Sequence, residues 1–223
     1  MIINHSSFHP SKSHIKEAIF ISAQLDNINI LEKLLPFVNH DVNILNGSNE
    51  SLFKYSIKNS KSQQTIEFIL NHPSFDSIKS DLLNSFVLIF DIKNKSNISP
   101  NKLAFYDLMV SIYEYDNVHE HLIDFSKLLP NGKSYFTSIS FNFRNINDIV
   151  DFFLQHGCDP DEPDQNGVYP LVHAIKLGSH QFAHLLIQTN KIDFNRKFSQ
   201  ILKIPKMAKQ NSKKKVQPLN KTV

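Results

Sequence analysis

The sequence predicts an all-α chain organised as a solenoid of about five stacked helix-turn-helix units. Three observations carry that expectation. Apolar residues recur at helical spacing in consecutive pairs of segments, beginning with Ala18 to Ala23 and Ile30 to Leu35. Turn signals fall between the segments, among them Asn46-Gly47, Pro130-Asn131-Gly132 and Gly178. Aspartates close the units at Asp41, Asp76, Asp116, Asp159 and Asp193, at intervals of 35, 40, 43 and 34 residues. A chance bundle of helices has no reason to keep that rhythm.

The clearest unit spans 162–195. Gly167 stands where a tight turn needs positive φ, which glycine adopts without steric cost. Pro170 suits a first helical turn, where its missing N–H is not needed. Leu171, Ala174 and Ile175 make a short apolar stripe, and Gly178 supplies a left-handed stop. Phe182, Leu185 and Leu186 then give a second apolar face. Asp164, Gly167, Pro170, Leu171, Ala174 and Gly178, followed by Leu185-Leu186-Ile187 and preceded by Gly157-Cys158-Asp159, resemble one full ankyrin repeat. Two positions depart from the family pattern: Tyr169 replaces its threonine and Val172 its histidine. Both family residues supply local side-chain hydrogen bonds, so the resemblance implies a weaker turn network here.

The other units follow in order. Residues 13–43 end in Asp41-Val42-Asn43, with Asp26 in the place of Gly178; aspartate also tolerates a left-handed helix end. Residues 44–76 place Leu52, Tyr55 and Ser56 on a first helix and Ile66 to Leu70 on a second. Residues 77–116 are the most divergent, with helices expected over Leu82 to Ile92 and Leu103 to Tyr115 around a polar loop. Residues 117–161 open on an apolar-periodic segment, His119 to Leu129. A first helix is then expected over Tyr135 to Phe143 and a second through Ile149 to Leu154. A lead-in of residues 1–12 precedes the units.

Residues 196–223 differ in kind. Phe198 to Ile204 reads as one more short helix covering the apolar flank of the last unit, stopped by Pro205. The tail holds nine Lys or Arg and no acid, including Lys213, Lys214 and Lys215. The whole chain has 24 basic and 21 acidic residues, so the body before the tail carries about −6 against +9. Such a tail is first of all a solvated terminus, with nuclear import or contact with nucleic acid or an acidic partner as the alternative.

Composition and motifs bound the chemistry. At 41% hydrophobic and 20% charged, the chain has the composition of a folded domain. Single Cys158 excludes an internal disulfide and fits a reducing compartment. Met1 to Pro10 has no signal-peptide pattern, and the longest apolar run, Phe86 to Phe90, is too short to cross a bilayer. A cytoplasmic protein with no membrane partner is expected, a monomer by default, with a nuclear address as the alternative. His180 and His184 have metal-ligand spacing but no third ligand beside them, and Asp159, Asp161, Glu162 and Asp164 read as turn residues. The five glycines are scattered singly, with no phosphate loop and no nucleophile elbow. No catalysis, metal or cofactor is expected.

The family resemblance implies recognition of a partner protein through loop tips and inner helices. Its variable contact positions map to Pro163, Gln165, Asn166, Val168, Lys176 and Leu177 in the clearest unit. The same offset gives Asn46, Gly47, Asn49, Ile57 and Lys58 in the second unit, and Gln24 and Leu25 in the first. The alternative is an adaptor acting through Lys213-Lys214-Lys215.

Overall fold

In the computed structural model, which describes residues 11–60, 62–91, 104–139 and 146–195, the chain is all-α. Ten α-helices occur among the described residues: α1 Lys12–Gln24, α2 Ile28–Leu34, α3 Leu52–Asn59, α4 Gln63–Leu70, α5 Leu82–Asp91, α6 Ala104–His119, α7 Tyr135–Ser138, α8 Ile146–Gln155, α9 Pro170–Leu177 and α10 His180–Gln188. A 3₁₀ turn, Leu35–Val38, extends α2. No described helix is long and apolar enough to cross a membrane.

Five of the described helices begin where a side chain satisfies a free N–H group of the first turn. Ser11, Asn27, Ser51, Ser134 and Ser179 accept from backbone N–H groups three residues on. Tyr169, at the start of α9, makes no such cap, and Pro170 instead removes one N–H from the first turn. Helix ends follow the sequence as well. Asp26 (φ 55°) and Gly178 (φ 71°) are both left-handed, and each donates to a carbonyl three residues back.

Helices pack in five pairs, α1 with α2 through α9 with α10. The first helices of the pairs also pack on one another in chain order, α1 on α3, α3 on α5, α5 on α7 and α7 on α9. Among the second helices, α4 packs on α6 and α8 on α10. A core of buried aliphatic and aromatic residues runs through the pairs. Phenylalanine supplies much of it through edge-on ring contacts, such as Phe53 with Phe75 at 5.0 Å and Phe75 with Tyr115 at 5.2 Å.

The loops between pairs share one construction. Asp41, Asp76, Asp124, Asp159 and Asp193 each fold a carboxylate oxygen back onto the N–H two residues on, at 2.8–3.1 Å. The intervals are 35, 48, 35 and 34 residues. The closing position of the third unit is therefore Asp124, eight residues later than the expected Asp116. Helix α6 continues past Asp116 to His119, so Asp116 sits inside a helix. His119 to Leu129, read as an apolar-periodic segment, is the last residue of α6 followed by a loop. Helix α7 is one turn long and ends at Ser138, with Ile139 extended (φ −61°, ψ 125°), short of the expected Phe143.

Neighbouring loops are bonded to each other. Asn43, two residues past Asp41, accepts from the N–H of Asp76 at 2.8 Å and the hydroxyl of Ser80 at 2.7 Å. Its amide group donates to Asp41 at 2.9 Å and to the Ser74 carbonyl at 2.5 Å. Asp161, two residues past Asp159, accepts from the N–H of Asp193 at 3.2 Å in the same way. The Lys54 ammonium joins Asp81 at 2.6 Å across the second and third units.

Candidate partner-binding groove

The turn before α9 fixes the register of the candidate contacts. Asp164 accepts through one carboxylate oxygen from the N–H groups of Asn166 and Val168, both at 2.8 Å. Its own carbonyl accepts from Gly167, which is left-handed at φ 71°. Asn46 repeats every part of this before α3: its side chain accepts from Ser48 and Glu50 at 3.0 Å, and its carbonyl from Asn49 at φ 58°. Asn46 thus corresponds to Asp164 and Asn49 to Gly167. The offset expected from the sequence is one residue out in the second unit.

That shift corrects one candidate. Ile57 is buried at 5% exposure and belongs to the core, because it corresponds to Ile175 rather than Lys176. Lys58 takes the place of Lys176 and pairs with the Glu50 carboxylate. In the first unit, Gln24 and Leu25 align with Lys176 and Leu177 as expected, counted from the left-handed Asp26 and Gly178. Gln24 accepts from the Tyr55 hydroxyl at 2.9 Å, and Leu25 is 62% exposed.

In the fifth unit, Asn166 and Lys176 are exposed, while Pro163, Val168 and Leu177 are half-buried. Gln165 is turned to structural use. Its N–H donates to the Gly132 carbonyl at 2.8 Å, and its carboxamide lies over Gly132 and reaches the Asn131 carbonyl at 3.4 Å. A Cβ on Gly132 would lie 2.0 Å from Gln165 Cδ, at a φ of +75°. Gly132→Ala is expected to cost about 1–2 kcal/mol from the left-handed strain, read as a lower urea midpoint. Recovery of wild-type stability by adding Gln165→Ala would locate the cost in the clash instead. Lys213, Lys214 and Lys215 lie outside the described residues.

The structure brings two of these residues, Asn46 and Gly47, to the wall of one groove. A cavity of about 800 Å³ lies between α1 and the turn before α3. Its walls include Lys12, Lys16 and Glu17 of α1, and Leu45, Asn46 and Gly47 of the turn. Phe20 and Tyr55, which meet edge-on at 5.1 Å, supply an apolar base. Ile21, 47% exposed, and Leu45, 39% exposed, present aliphatic surface to it. Lys12, Lys16, Ile21 and Leu45 were not among the expected contacts. A helical projection of α1 carries the missing signal: Ile21 and Leu25 are four apart and off the buried stripe Ile15, Ile19 and Ala23.

The groups that resemble chemistry elsewhere are engaged in the fold. No cluster of three or more potential metal ligands occurs among the described residues. Asp159, Asp161 and Asp164 spend carboxylate oxygens on backbone N–H groups. Lys127, 2.8 Å away, and the Ser126 hydroxyl and N–H hold the Asp124 carboxyl down to about 2. Burial pushes the Cys158 thiol well above its ordinary range, which suppresses the nucleophilic thiolate. His173 donates from Nε2 to the Ile139 carbonyl at 3.3 Å, and burial lowers its pKa.

The chain matches no known family model, and no curated protein matches it.

Proposed function

We propose that the chain is a non-catalytic scaffold, an ankyrin-like solenoid that holds a partner protein in the groove of its first two units and along neighbouring turn tips. The groove carries this reading. It joins an inner helix to a turn tip, and it places exposed Ile21 and Leu45 beside the charged ends of Lys12 and Lys16. Aliphatic surface of that kind, rimmed by charge, is what protein contacts use. The repeat reading draws support from the Asn46 and Asp164 turns and from the matching Asn43 and Asp161 links between loops. A cytoplasmic setting accords with the single buried Cys158.

Affinity capture from a cell lysate tests the proposal. The double substitution Ile21→Asp and Leu25→Asp falls on exposed positions, so the helical signal and urea midpoint are expected to stay as in the parent chain. Retention of specific partners is expected to fall at least tenfold. Equal retention by both baits would remove the groove from the contact surface. A bait ending at Asn195, which removes all nine basic residues of the tail, separates the second reading, which the charge contrast of +9 against −6 favours. Loss of capture with the tail, and its abolition by moderate salt, would make the basic segment the active part.

A further inference from the structure

We infer that Asn46 is a site of non-enzymatic deamidation, singled out by the fold from three Asn-Gly steps. The chain carries Asn46-Gly47, Asn131-Gly132 and Asn166-Gly167. In each, the glycine nitrogen is the nucleophile and the asparagine Cγ the electrophile, and glycine, lacking a side chain, obstructs the approach least. The chemistry does not depend on what the groove holds, so the site stands apart from the scaffold reading. Two features have to coincide, and among the described residues only Asn46 has both. The first is a carboxamide folded back over the following peptide. Asn46 Oδ1 accepts from the Ser48 N–H at 3.0 Å, and Asn131 Oδ1 from the Lys133 N–H at 3.1 Å. The ring closed by such a bond contains both the asparagine Cγ and the glycine nitrogen. The second is a glycine N–H with no acceptor. Gly132 donates to the Leu129 carbonyl at 2.7 Å and Gly167 to the Asp164 carbonyl at 2.8 Å, which holds those protons in place. Gly47 donates to no group among the described residues, and a Cβ there would meet nothing within 4 Å.

The turn also favours the step itself. Asn46 Oδ1 accepts from the Glu50 N–H at 3.0 Å as well, so two donors face the negative charge that develops on this oxygen during attack. The Gly47 nitrogen forms a bond to Asn46 Cγ, the Cγ–Nδ2 bond breaks, and ammonia leaves with the Gly47 proton, closing a succinimide. Water then opens the ring at either carbonyl to give aspartate or isoaspartate, so one water is consumed for each ammonia released. Aspartate fits this turn, since Asp164 holds the matching place and accepts from Asn166 and Val168, both at 2.8 Å. Isoaspartate adds a backbone carbon inside the turn that the Asn46 N–H closes on the Glu50 carbonyl at 3.0 Å. Either product puts a carboxylate in the wall that holds Lys12 and Lys16.

Ageing of the full-length chain at mildly alkaline pH, followed by peptide mapping with mass spectrometry, tests the inference. Conversion at Asn46 is expected to run about tenfold faster than at Asn131 or Asn166, whose glycine N–H groups react only after local opening. In concentrated urea the three rates are expected to converge, because the sequence step is the same. Gly47→Pro removes the nucleophilic N–H at the second position of the turn, which accepts proline, and is expected to stop conversion at Asn46. An unchanged Asn46 in the aged parent chain, or equal rates at the three sites in the folded state, would overturn the inference. So would a spread of rates that survives urea, or conversion that persists in Gly47→Pro.

Discussion

Phe153→Ala is expected to destabilise the chain by about 3–5 kcal/mol, a fall in Tm of roughly 10 °C. Phe153 is 0% exposed and lies at the centre of a ring cluster. Its centroid is 5.4 Å from Tyr135, 5.6 Å from Phe136, 5.7 Å from Phe90 and 5.8 Å from Phe125. Those partners come from α5, the loop after α6, and α7, so one ring joins three successive segments to α8. Truncation leaves a cavity that α7, a single turn, is poorly placed to fill. Urea unfolding followed by circular dichroism reads the effect. A loss below about 1 kcal/mol would mean that the cluster collapses around the gap.

Asp116→Ala is expected to cost about 3 kcal/mol. The carboxylate is 1% exposed and accepts from the N–H groups of Leu122 at 2.9 Å and Ile123 at 2.8 Å. The Asp116 carbonyl also accepts from Glu120 and His121, so this residue ends α6 and anchors the loop beyond it. Alanine leaves two amides without their acceptor, one of them buried. Asp116→Asn keeps a single acceptor oxygen and is expected to fall between the two. The checks are the urea midpoint and amide exchange at Leu122 and Ile123. If the asparagine variant proves as damaged as the alanine one, the charge rather than the acceptor count matters.

The same residue shows where sequence reading stopped. Asp116 follows an apolar helical stretch and so looks like a closing aspartate, yet its carboxylate reaches forward six and seven residues and not two. Asp124 makes the local turn, and only the backbone distinguishes them. Local stops were legible: Asp26 and Gly178 are left-handed because few residues other than Gly, Asn and Asp accept that conformation. The second unit was read one residue out of register: the left-handed residue matching Gly167 is Asn49, and the slip put Ile57 on the surface. The groove was half legible. Asn46 and Gly47 came from the repeat pattern, whereas Lys12, Lys16 and Leu45 are brought together by the packing of α1 against α3.

Asn43 bears on how the groove would engage a ligand. An amide side chain offers two donors and two acceptor sites, and Asn43 uses both donors on Asp41 and Ser74 and accepts from Asp76 and Ser80. Ser51 adds a bond from its hydroxyl to the Ser80 carbonyl at 2.7 Å. The segment carrying Leu45, Asn46 and Gly47 lies between Asn43 and Ser51, fixed at both ends before any partner arrives. Association then spends little conformational entropy on arranging the backbone of the receptor. What is left to order is the side-chain rotamers of Ile21, Lys12 and Lys16, which adapt to the incoming surface while the frame beneath them stays put.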